Sequence, residues 1–564
     1  MRTAVALYAF ALLVRLVLIA LFPDPAYVDS FYYVNVARAL QAGHGLNIDF
    51  IWTFVDVGGI LPAAPHLPIP SNAHWMPLAS FVQVPFLAVL GSTAWASALP
   101  FALIGALAAP LTWAFAGEAG ASRAVRIGAA LLVALPAGSL VFMAQPDNFS
   151  LFQPIVVGAL WLGARGLKGS ARSFAGAGFL VGLAMLARND GILVGAALAL
   201  LFGWERLRAW RAGRPAVLPW WSAVACLGLF LVVMAPWWAR QLAVFGSISP
   251  SSVSGRILWI RSLAEMNSIE GHPTISSFLG QGLGSLVSSR LTGLLQAILS
   301  YVILVGGVVL APFMVVGAWL RRRSIDFRPF LVYGFILFAF SALVSAVHVP
   351  NGTFIHSAVA LAPHSYVLAL EGVAGAVAWV AARRKGWDTA RATPIFLGGV
   401  VALAMAVGVA FSFITRSTWA NEREIKVAAG VALGRAGASP TDVVMSLDTS
   451  GLKYWTGHPG VVAPNDAIET IERVARAYGA RWLVIERRNT VPALAPILDA
   501  DARPSWVGPA VWSHVAMVAG ESATAAAAPD AALYPICLTL PDPRCPSAVV
   551  SGSGTATGPG TVRP

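Results

Sequence analysis

Long apolar stretches recur along the whole chain, and they constrain its fold more than any other feature. Most come close to the roughly 20 residues that a helix needs to cross a bilayer. Hydrophobic residues make up 57% of the 564 residues, and charged residues make up 11%. The charged fraction is about half that of a soluble protein. A mainly α-helical, polytopic transmembrane bundle is therefore expected. The stretches lie near residues 3–22, 94–116, 127–143, 150–165, 217–237, 296–320, 328–347, 356–382 and 393–414.

Short basic clusters between these stretches predict the orientation of the chain. Lys and Arg are held on the cytoplasmic side of a membrane, and "RRRSIDFR" (321–328) and "RRKGWDTAR" (383–391) follow that pattern, as do residues 165–172 and 205–214. The net charge of +12 is thus explained by topology, and no nucleic-acid binding is expected.

Placing these clusters on one side requires an even number of spans between them and gives about eleven spans in all. Residues 173–187 and 191–203 then form a hairpin, and residues 77–91 form a re-entrant or interfacial helix. We expect a retained first helix with the N-terminus inside, and the region after residue 415 outside.

Most of the unusual polar residues fall on the face that this topology predicts to be extracytoplasmic. Ionisable groups at membrane depth are costly and usually mark a site or a pathway. This clustering is the first indication of a functional site. The segments on that face are residues 23–75, 145–148, 188–190, 238–293, 348–356 and everything after 415.

The composition changes after residue 415, where charges and turn residues return. "DVVMSLD" (442–448) and "RWLVIE" (481–486) are typical of strands, and "DAIETIERVARAYGA" (466–480) is typical of an amphipathic helix. Residues 416–546 are therefore predicted to form a small extracytoplasmic α/β domain with a parallel strand pair. The Gly, Ser, Thr and Pro tail at 547–564 is predicted to be disordered.

The three cysteines divide between the two regions. Cys226 lies in an apolar stretch and is expected to be inert. Cys537 and Cys545 flank a short Pro-containing loop in the extracytoplasmic domain, where a disulfide would persist. We expect them to be bonded.

Asp29 is the first candidate for chemistry, because it follows the first apolar stretch in "DPAYVDSFYYVNVARAL" (24–40). The spacing that follows favours a helix lying in the membrane interface. A carboxylate there could act as the general base for an incoming hydroxyl or bind a divalent cation such as Mg²⁺ or Mn²⁺. The alternative is that Asp24 and Asp29 are caps of that helix.

His74 and Asp147 have a functional and a structural interpretation each. His74, in "AHWMPLASF" (73–81), could contact an anionic headgroup or could be an interfacial anchor. Asp147, in "FMAQPDNFSLF" (142–152), lies at an outward turn and could instead be an N-cap for the helix that begins near Phe149.

Two arginines on the same face could bind phosphate, because a guanidinium matches phosphate oxygens in geometry and charge. Arg188 lies in "LARNDG" (186–191), where it could also pair with Asp190. Arg240 follows a Trp pair in "APWWARQLAVFGSISPSS" (235–252). No P-loop, dinucleotide-binding glycine pattern, zinc-spaced His or Cys cluster or "GxSxG" occurs in the sequence. An enzyme of this kind would have to take its activated substrate from the membrane.

The order of these features resembles the GT-C superfamily of polytopic glycosyltransferases. The resemblance is close to the bacterial family-39 and family-83 type, which includes aminoarabinose and protein mannosyl transferases. The phrases that carry it, after the acidic first loop, are "HWMPL", "PDNFSLF", "GLAMLARNDGILV", "APWWARQLAVFGSISPSS", "YWTGHPGVVAP" and "ARWLVIE".

The resemblance implies that Asp29 is catalytic, that the donor is a polyprenyl-phosphate sugar and that Arg188, Arg240 or His74 holds its phosphate. The acceptor would be a hydroxyl of a lipid, glycan or protein, and the location a bacterial plasma (inner) membrane. Family members often have Asp-Glu in the first loop, whereas Ser30 follows Asp29 here. A second carboxylate must then come from Asp24, from Asp147 or from nowhere. Members also often have Lys or His immediately before Pro-Pro-Leu, and His74 stands one residue further out.

Two other classes of protein compete with the transferase. A lipid-linked sugar flippase or transporter predicts polar or broken helices near the bilayer midplane and internal repeats, whereas the charges here flank the apolar stretches. A non-catalytic assembly scaffold would leave Asp29 dispensable.

Overall fold

The computed structural model describes residues 1–248, 257–349, 352–384, 386–515, 529–539, 542, 544 and 545. These residues form a bundle of apolar helices and a mixed β-sheet that lies mainly in the C-terminal part of the chain. The tail at 547–564, with its predicted disorder, lies outside the described residues. So does part of the segment around Arg240, at residues 249–256.

Helices dominate the chain up to Arg435. In chain order, the described helices of this part are α1 (Arg2–Leu21), α2 (Val28–Gln41), α3 (Leu78–Phe81), α4 (Val84–Leu90), α5 (Ala94–Gly105), α6 (Ala108–Glu118), α7 (Arg123–Ala134), α8 (Phe149–Leu167), α9 (Ala171–Ala187), α10 (Ile192–Arg211), α11 (Trp220–Phe245), α12 (Ile275–Leu279), α13 (Leu283–Ser300), α14 (Ala311–Arg321), α15 (Arg328–Leu343), α16 (Thr353–Ala358), α17 (Ala362–Ala381) and α18 (Thr389–Arg435).

Seven helical segments of the described chain are long and apolar enough to cross a membrane. The polytopic helical fold is therefore confirmed, and the number of about eleven spans stays a prediction. The segment Leu78–Leu90 is among the shorter apolar helices, together with Ala171–Ala187 and Arg328–Leu343, and its re-entrant or interfacial position stays a prediction. The seven segments are Arg2–Leu21, Ala94–Glu118, Phe149–Leu167, Trp220–Phe245, Leu283–Val305, Thr353–Ala381 and Thr389–Arg435.

Several helix boundaries differ from the sequence prediction, and two of these differences lie around the segment expected at 238–293. The segment expected at 238–293 begins later, because α11 continues to Phe245 and ends at Gly246, whose φ of 69° favours glycine. The span expected at 296–320 is interrupted. There α13 passes into a π-helical turn at Tyr301–Val305. The helix then ends near Gly307, whose φ is 52°, before α14 begins.

The sheet has six strands in the order β2 (Phe50–Ile51), β5 (Gly460–Val462), β4 (Val443–Ser446), β6 (Ala480–Glu486), β8 (Ala531–Pro535) and β7 (Trp512–His514). Neighbouring strands from β2 to β6 pair in parallel, β8 pairs antiparallel with β6, and β7 pairs antiparallel with β8. The strands and helix expected after residue 415 are present as β4, β6 and an amphipathic helix at Ile468–Tyr478. Two further strands, β1 (Asn47–Ile48) and β3 (Ile69–Pro70), pair antiparallel with each other.

The loop between α2 and α3, here called the first loop, is part of this sheet. Its strand β2 pairs in parallel with β5, through Phe50 with Gly460 and Ile51 with Val461. Buried side chains of the first loop and of the sheet form one hydrophobic core. The sheet domain is therefore fixed to the membrane bundle through the first loop.

A single helix also connects the bundle to the sheet domain. The structure has no break at residue 415, where the sequence predicted a domain boundary, because α18 runs without interruption from Thr389 to Arg435. Residues 415–429 contain neither Gly nor Pro, so nothing in the sequence stops the helix there. Its last turns pack against the sheet. Near the C-terminus the structure joins Cys537 to Cys545 by a disulfide, and Cys226 is free.

Candidate active site

The start of α2 determines where Asp29 lies. The hydroxyl of Ser30 accepts a hydrogen bond from the backbone N–H of Tyr27 at 3.2 Å and donates to its carbonyl at 2.7 Å. Tyr27 is the N-cap residue, so neither Asp24 nor Asp29 caps this helix. Asp29 lies in the first turn of α2 with its side chain 25% exposed. Ser30, which stands where the resemblance expects a second carboxylate, instead stabilises the helix start.

Asp147 supplies the second carboxylate and is fully buried in the turn before α8. The hydroxyl of Tyr27 donates to its Oδ2 atom at 2.8 Å, and the backbone N–H of Asn148 donates to its Oδ1 atom. Asn148 is the N-cap residue of α8. The alternative role of Asp147 as that cap is therefore wrong.

His356, in α16, joins the two carboxylates. Its Nε2 atom lies 3.6 Å from Oδ2 of Asp29, and its Nδ1 atom lies 3.6 Å from Oδ2 of Asp147. The imidazole stacks on the ring of Phe149 with a centroid distance of 4.2 Å, which fixes its plane. We call Asp29, Asp147 and His356 the Asp–His cluster.

Sequence reasoning did not select His356, although it placed residues 348–356 on the same face as Asp29. The available signal was a histidine in the first turns of an apolar segment, where an ionisable group is costly. Tyr27 was also missed, because an aromatic residue beside an apolar helix is ordinary in a membrane protein.

Arg188 provides the positive charge of the site and lies in the turn between α9 and α10. Its Nε atom donates to Oδ1 of Asp190 at 2.9 Å, and a terminal nitrogen lies 3.4 Å from the carbonyl of Thr353. The other carboxylate oxygen of Asp190 accepts from the hydroxyl of Ser357. The guanidinium is thus held in place by residues near His356, and its charge acts on both carboxylates of the Asp–His cluster. The pairing with Asp190 that the sequence suggested is confirmed.

Both carboxylates of the cluster hold their protons more tightly than an exposed aspartate. Burial raises the pKa of Asp29, against the opposing effects of the charge of Arg188 and of a hydrogen bond that the Trp75 side chain donates to the carboxylate. Burial also raises the pKa of Asp147, and repulsion from Asp29 raises it further. A carboxylate with a raised pKa is a stronger base, which suits the abstraction of a proton from a hydroxyl.

His74 lies beside the Arg188 turn, since the side chain of Asn189 donates to the carbonyl of His74 at 3.0 Å. Burial lowers the pKa of His74 to about 4, and the nearby His348 and Arg188 add to this effect. The imidazole is therefore neutral at pH 7. It can offer a phosphate a hydrogen bond but no positive charge.

Arg240 binds the first loop. Its guanidinium donates to the carbonyl of Ser71 at 2.8 Å and to Oε1 of Gln241 at 2.8 Å, and it lies 3.4 Å from the carbonyl of Leu46. Within the described chain, the hydrogen bonds of the Arg240 side chain go to Ser71, Leu46 and Gln241, and none reaches the Asp–His cluster. Of the two arginines selected from the sequence, the structure brings Arg188 to the cluster and places Arg240 against the loop.

The Asp–His cluster also has the donor set of a divalent-metal site. Each of the three residues offers one ligand atom, and these atoms lie within 4.8 Å of one another. Carboxylates suit Mg²⁺ and Mn²⁺, and the imidazole favours the softer Mn²⁺. A cation held there would polarise a substrate oxygen and offset the repulsion between the carboxylates. The residues therefore fit the metal role expected of Asp29 and would add Asp147 and His356 as ligands.

Solved structures with a similar fold include two proteins that were solved with a bound polyprenyl-type phosphate. ArnT from Cupriavidus metallidurans, solved with undecaprenyl phosphate, has a TM-score of 0.58 at 15% identity and covers 96% of this chain and 99% of its own. The oligosaccharyltransferase AglB from Archaeoglobus fulgidus, solved with an inhibitory peptide and a dolichol-phosphate, has a TM-score of 0.54 at 14% identity and covers 86% of this chain and 69% of its own. The chain is a polytopic membrane protein with the fold of the GT-C glycosyltransferase superfamily, as its motif order predicted.

A narrower similarity covers part of the chain. Residues 71–239 match the family described as dolichyl-phosphate-mannose-protein mannosyltransferase. The matched segment includes Asp147 and Arg188, whereas Asp29 and His356 lie outside it. No curated protein sequence matches the chain.

Proposed function

We propose that this chain transfers a sugar from a polyprenyl-phosphate donor to a hydroxyl of a lipid, glycan or protein, on the extracytoplasmic face of a bacterial inner membrane. The observation that carries this proposal is the meeting of two carboxylates, a histidine and an arginine from four distant parts of the chain. Two of the structures with a similar fold contain polyprenyl-type phosphates, which supports this class of donor.

In the proposed reaction, the Asp29 carboxylate accepts the proton of the acceptor hydroxyl. The acceptor oxygen then bonds to the anomeric carbon on the side opposite the phosphate. The bond between that carbon and the phosphate oxygen breaks, and its electron pair leaves with the polyprenyl phosphate. A single displacement of this kind inverts the anomeric configuration.

Arg188 would stabilise the departing phosphate. Hydrogen bonds within the described chain engage its Nε atom and one terminal nitrogen, so its second terminal nitrogen can reach a phosphate oxygen. A preformed cation at the point where negative charge develops lowers the barrier without a cost for reorganisation. His74, held beside this turn and neutral, would add a hydrogen bond.

The proposal is tested by incubating the purified chain in nanodiscs with radiolabelled polyprenyl-phosphate sugars and a membrane extract. Asp29→Asn keeps the shape of the side chain and removes the base, so transfer should fall by about 10²–10⁴-fold. The matched control is Asp49→Asn. Asp49 belongs to the first loop and pairs with Lys453 at 2.5 Å, outside the Asp–His cluster.

Equal transfer by the wild type and Asp29→Asn would remove Asp29 as the base. In proteoliposomes, a labelled sugar that crosses the bilayer while still bound to its carrier would contradict the transferase and indicate transport instead.

A further inference from the structure

A cavity of about 560 Å³ lies between α18, the start of α2 and the sheet domain. Its volume is in the range of pockets that hold small ligands, roughly 300–1,000 Å³. It is lined from three sides, and both polar and apolar side chains face it. Lining residues that matter below are Tyr27, Asn421, Glu422, Lys426, Glu486 and Arg488.

Glu486 gives this cavity an unmet requirement for a hydrogen bond. The residue ends β6 and is 6% exposed. Its Oε2 atom binds the ammonium of Lys426 at 3.3 Å, whereas Oε1 has no hydrogen-bond partner in the described part of the chain. A buried polar atom without a partner is costly, and an ionised carboxylate only accepts hydrogen bonds. The missing partner is therefore a donor, such as a hydroxyl or an amine.

The charges of the lining indicate which donors fit. Lys426 is already shared between Glu486 and Asp448, which it binds at 3.1 Å. The described lining is negative overall, since four carboxylates face two cations. The carboxylates belong to Glu422, Asp448, Glu486 and Asp530, and the cations to Lys426 and Arg488. Such a surface disfavours a phosphate or carboxylate ligand and favours a neutral or cationic one.

The cavity shares a wall with the Asp–His cluster. Tyr27 lines the cavity, and its hydroxyl donates to Asp147 at 2.8 Å. The aromatic ring of Tyr27 thus lines the cavity together with carboxylates and the amide of Asn421. Such a lining suits a ring that carries both C–H faces and hydroxyl groups. One side chain therefore separates this pocket from the residues that would activate a hydroxyl.

We propose that this cavity binds the acceptor, and that the acceptor is a neutral or amino-substituted carbohydrate whose hydroxyl donates to Oε1 of Glu486. This inference rests on the proposed function in one respect, since it takes the cavity ligand to be the acceptor of that reaction. The carrier phosphate is excluded from the cavity by its charge and binds instead at Arg188.

The inference is tested by saturation-transfer NMR on the full chain in nanodiscs, without donor. The probes are three methyl glycosides: methyl mannoside is neutral, methyl glucosaminide is cationic and methyl glucuronide is anionic. Signal is expected for the first two and not for the third. Asn421→Trp should fill the cavity and reduce the signal about tenfold, which corresponds to about 1.4 kcal/mol.

Glu424→Trp is the matched control, since Glu424 is exposed on the same helix and does not line the described cavity. Glu486→Gln is a second test, because it keeps the shape but halves the accepting capacity of the group. The NMR signal of Glu486→Gln should be weaker than that of the wild type. Thermal melting should show that Glu486→Gln, Asn421→Trp and Glu424→Trp all remain folded. Equal signals from Asn421→Trp and Glu424→Trp, or preferred binding of the glucuronide, would overturn the inference.

The two proposals fail in different experiments. The NMR measurement needs no turnover. Sugar transfer without any glycoside signal would therefore contradict only the proposed acceptor site. Glycoside binding without transfer of sugar to the membrane extract would contradict the proposed reaction.

Discussion

The hydroxyl of Tyr27 donates a 2.8 Å hydrogen bond to the carboxylate of Asp147, a residue 120 positions further along the chain. Tyr27 is also the N-cap residue of α2 and lines the cavity under the sheet domain. A single side chain therefore connects the helix that carries Asp29, the second carboxylate and the pocket proposed for the acceptor.

Replacing Tyr27 by phenylalanine tests this connection. Tyr27→Phe keeps the ring that packs against Phe142 and Trp419 and removes one hydrogen bond to a buried charge. Such a bond contributes about 1.5–3 kcal/mol, so we expect transfer to fall roughly 10- to 100-fold. Steady-state assays should show the loss in kcat, with donor KM unchanged. Tyr8→Phe is the control, since the Tyr8 hydroxyl donates to the carbonyl of Leu103 at 3.2 Å in the bundle. Full activity of Tyr27→Phe would mean that Asp147 does not need this bond.

Arg188 should determine the affinity for the donor. Arg188→Gln removes the positive charge that acts on both carboxylates and would bind phosphate, so donor KM should rise roughly 10- to 100-fold. Arg188→Lys should restore only part of the donor affinity. An ammonium lacks the planar, forked donors with which a guanidinium can bind Asp190 and a phosphate at the same time. The measurement is the initial rate against polyprenyl-phosphate sugar concentration. Arg391→Gln, at an 88% exposed side chain, controls for loss of charge alone. A donor KM and a kcat that both stay unchanged in Arg188→Gln would refute the assignment.

The sequence predicts the parts of this fold that depend on local chemistry. Apolar stretches predict the helices, and the position of Asp29 just after the first one makes it a candidate base, because both predictions depend on residues that are near each other in the chain. The strand β2 has only two residues, Phe50 and Ile51, and its partner Val461 lies in another part of the sequence. No local pattern identifies such a strand.

Contacts between distant parts of the chain also explain why the sequence did not indicate some of the site residues. His356 gains its role only when α16 packs beside α2 and α8, since its ring is positioned by Phe149 and its nitrogens by two aspartates. The sequence around Arg240 is typical of a phosphate site, because it places a cation beside an aromatic pair at the membrane interface. Only the fold shows that carbonyls of the first loop occupy its guanidinium.

Arg240 is accordingly expected to affect stability more than donor binding. Arg240→Met keeps an apolar stem beside Trp237 and leaves the carbonyl of Ser71 without the guanidinium donor. The carbonyl of Leu46 still accepts from the backbone N–H of Ser71 at 2.9 Å. Leaving buried polar groups unpaired costs about 1–3 kcal/mol, so the thermal midpoint of the chain in nanodiscs should fall while donor KM stays within the error of the wild type. The opposite result, a raised donor KM with an unchanged midpoint, would return Arg240 to the phosphate site.

Divalent cations should bind at the Asp–His cluster and support transfer. Dialysis against EDTA is expected to lower the rate and Mn²⁺ to restore it, because a cation would offset the repulsion between Asp29 and Asp147. His356→Gln removes one of three ligands whose atoms lie within 4.8 Å of one another. Since the loss of an outer-shell partner alone costs roughly 10–100-fold in metal affinity, this variant should need at least that much more Mn²⁺. Titration of bound Mn²⁺ by electron paramagnetic resonance measures the affinity independently of turnover, and His272→Gln, at an exposed histidine, is the control. Full activity after EDTA treatment together with no bound Mn²⁺ in the wild type would show that the carboxylates act without a metal.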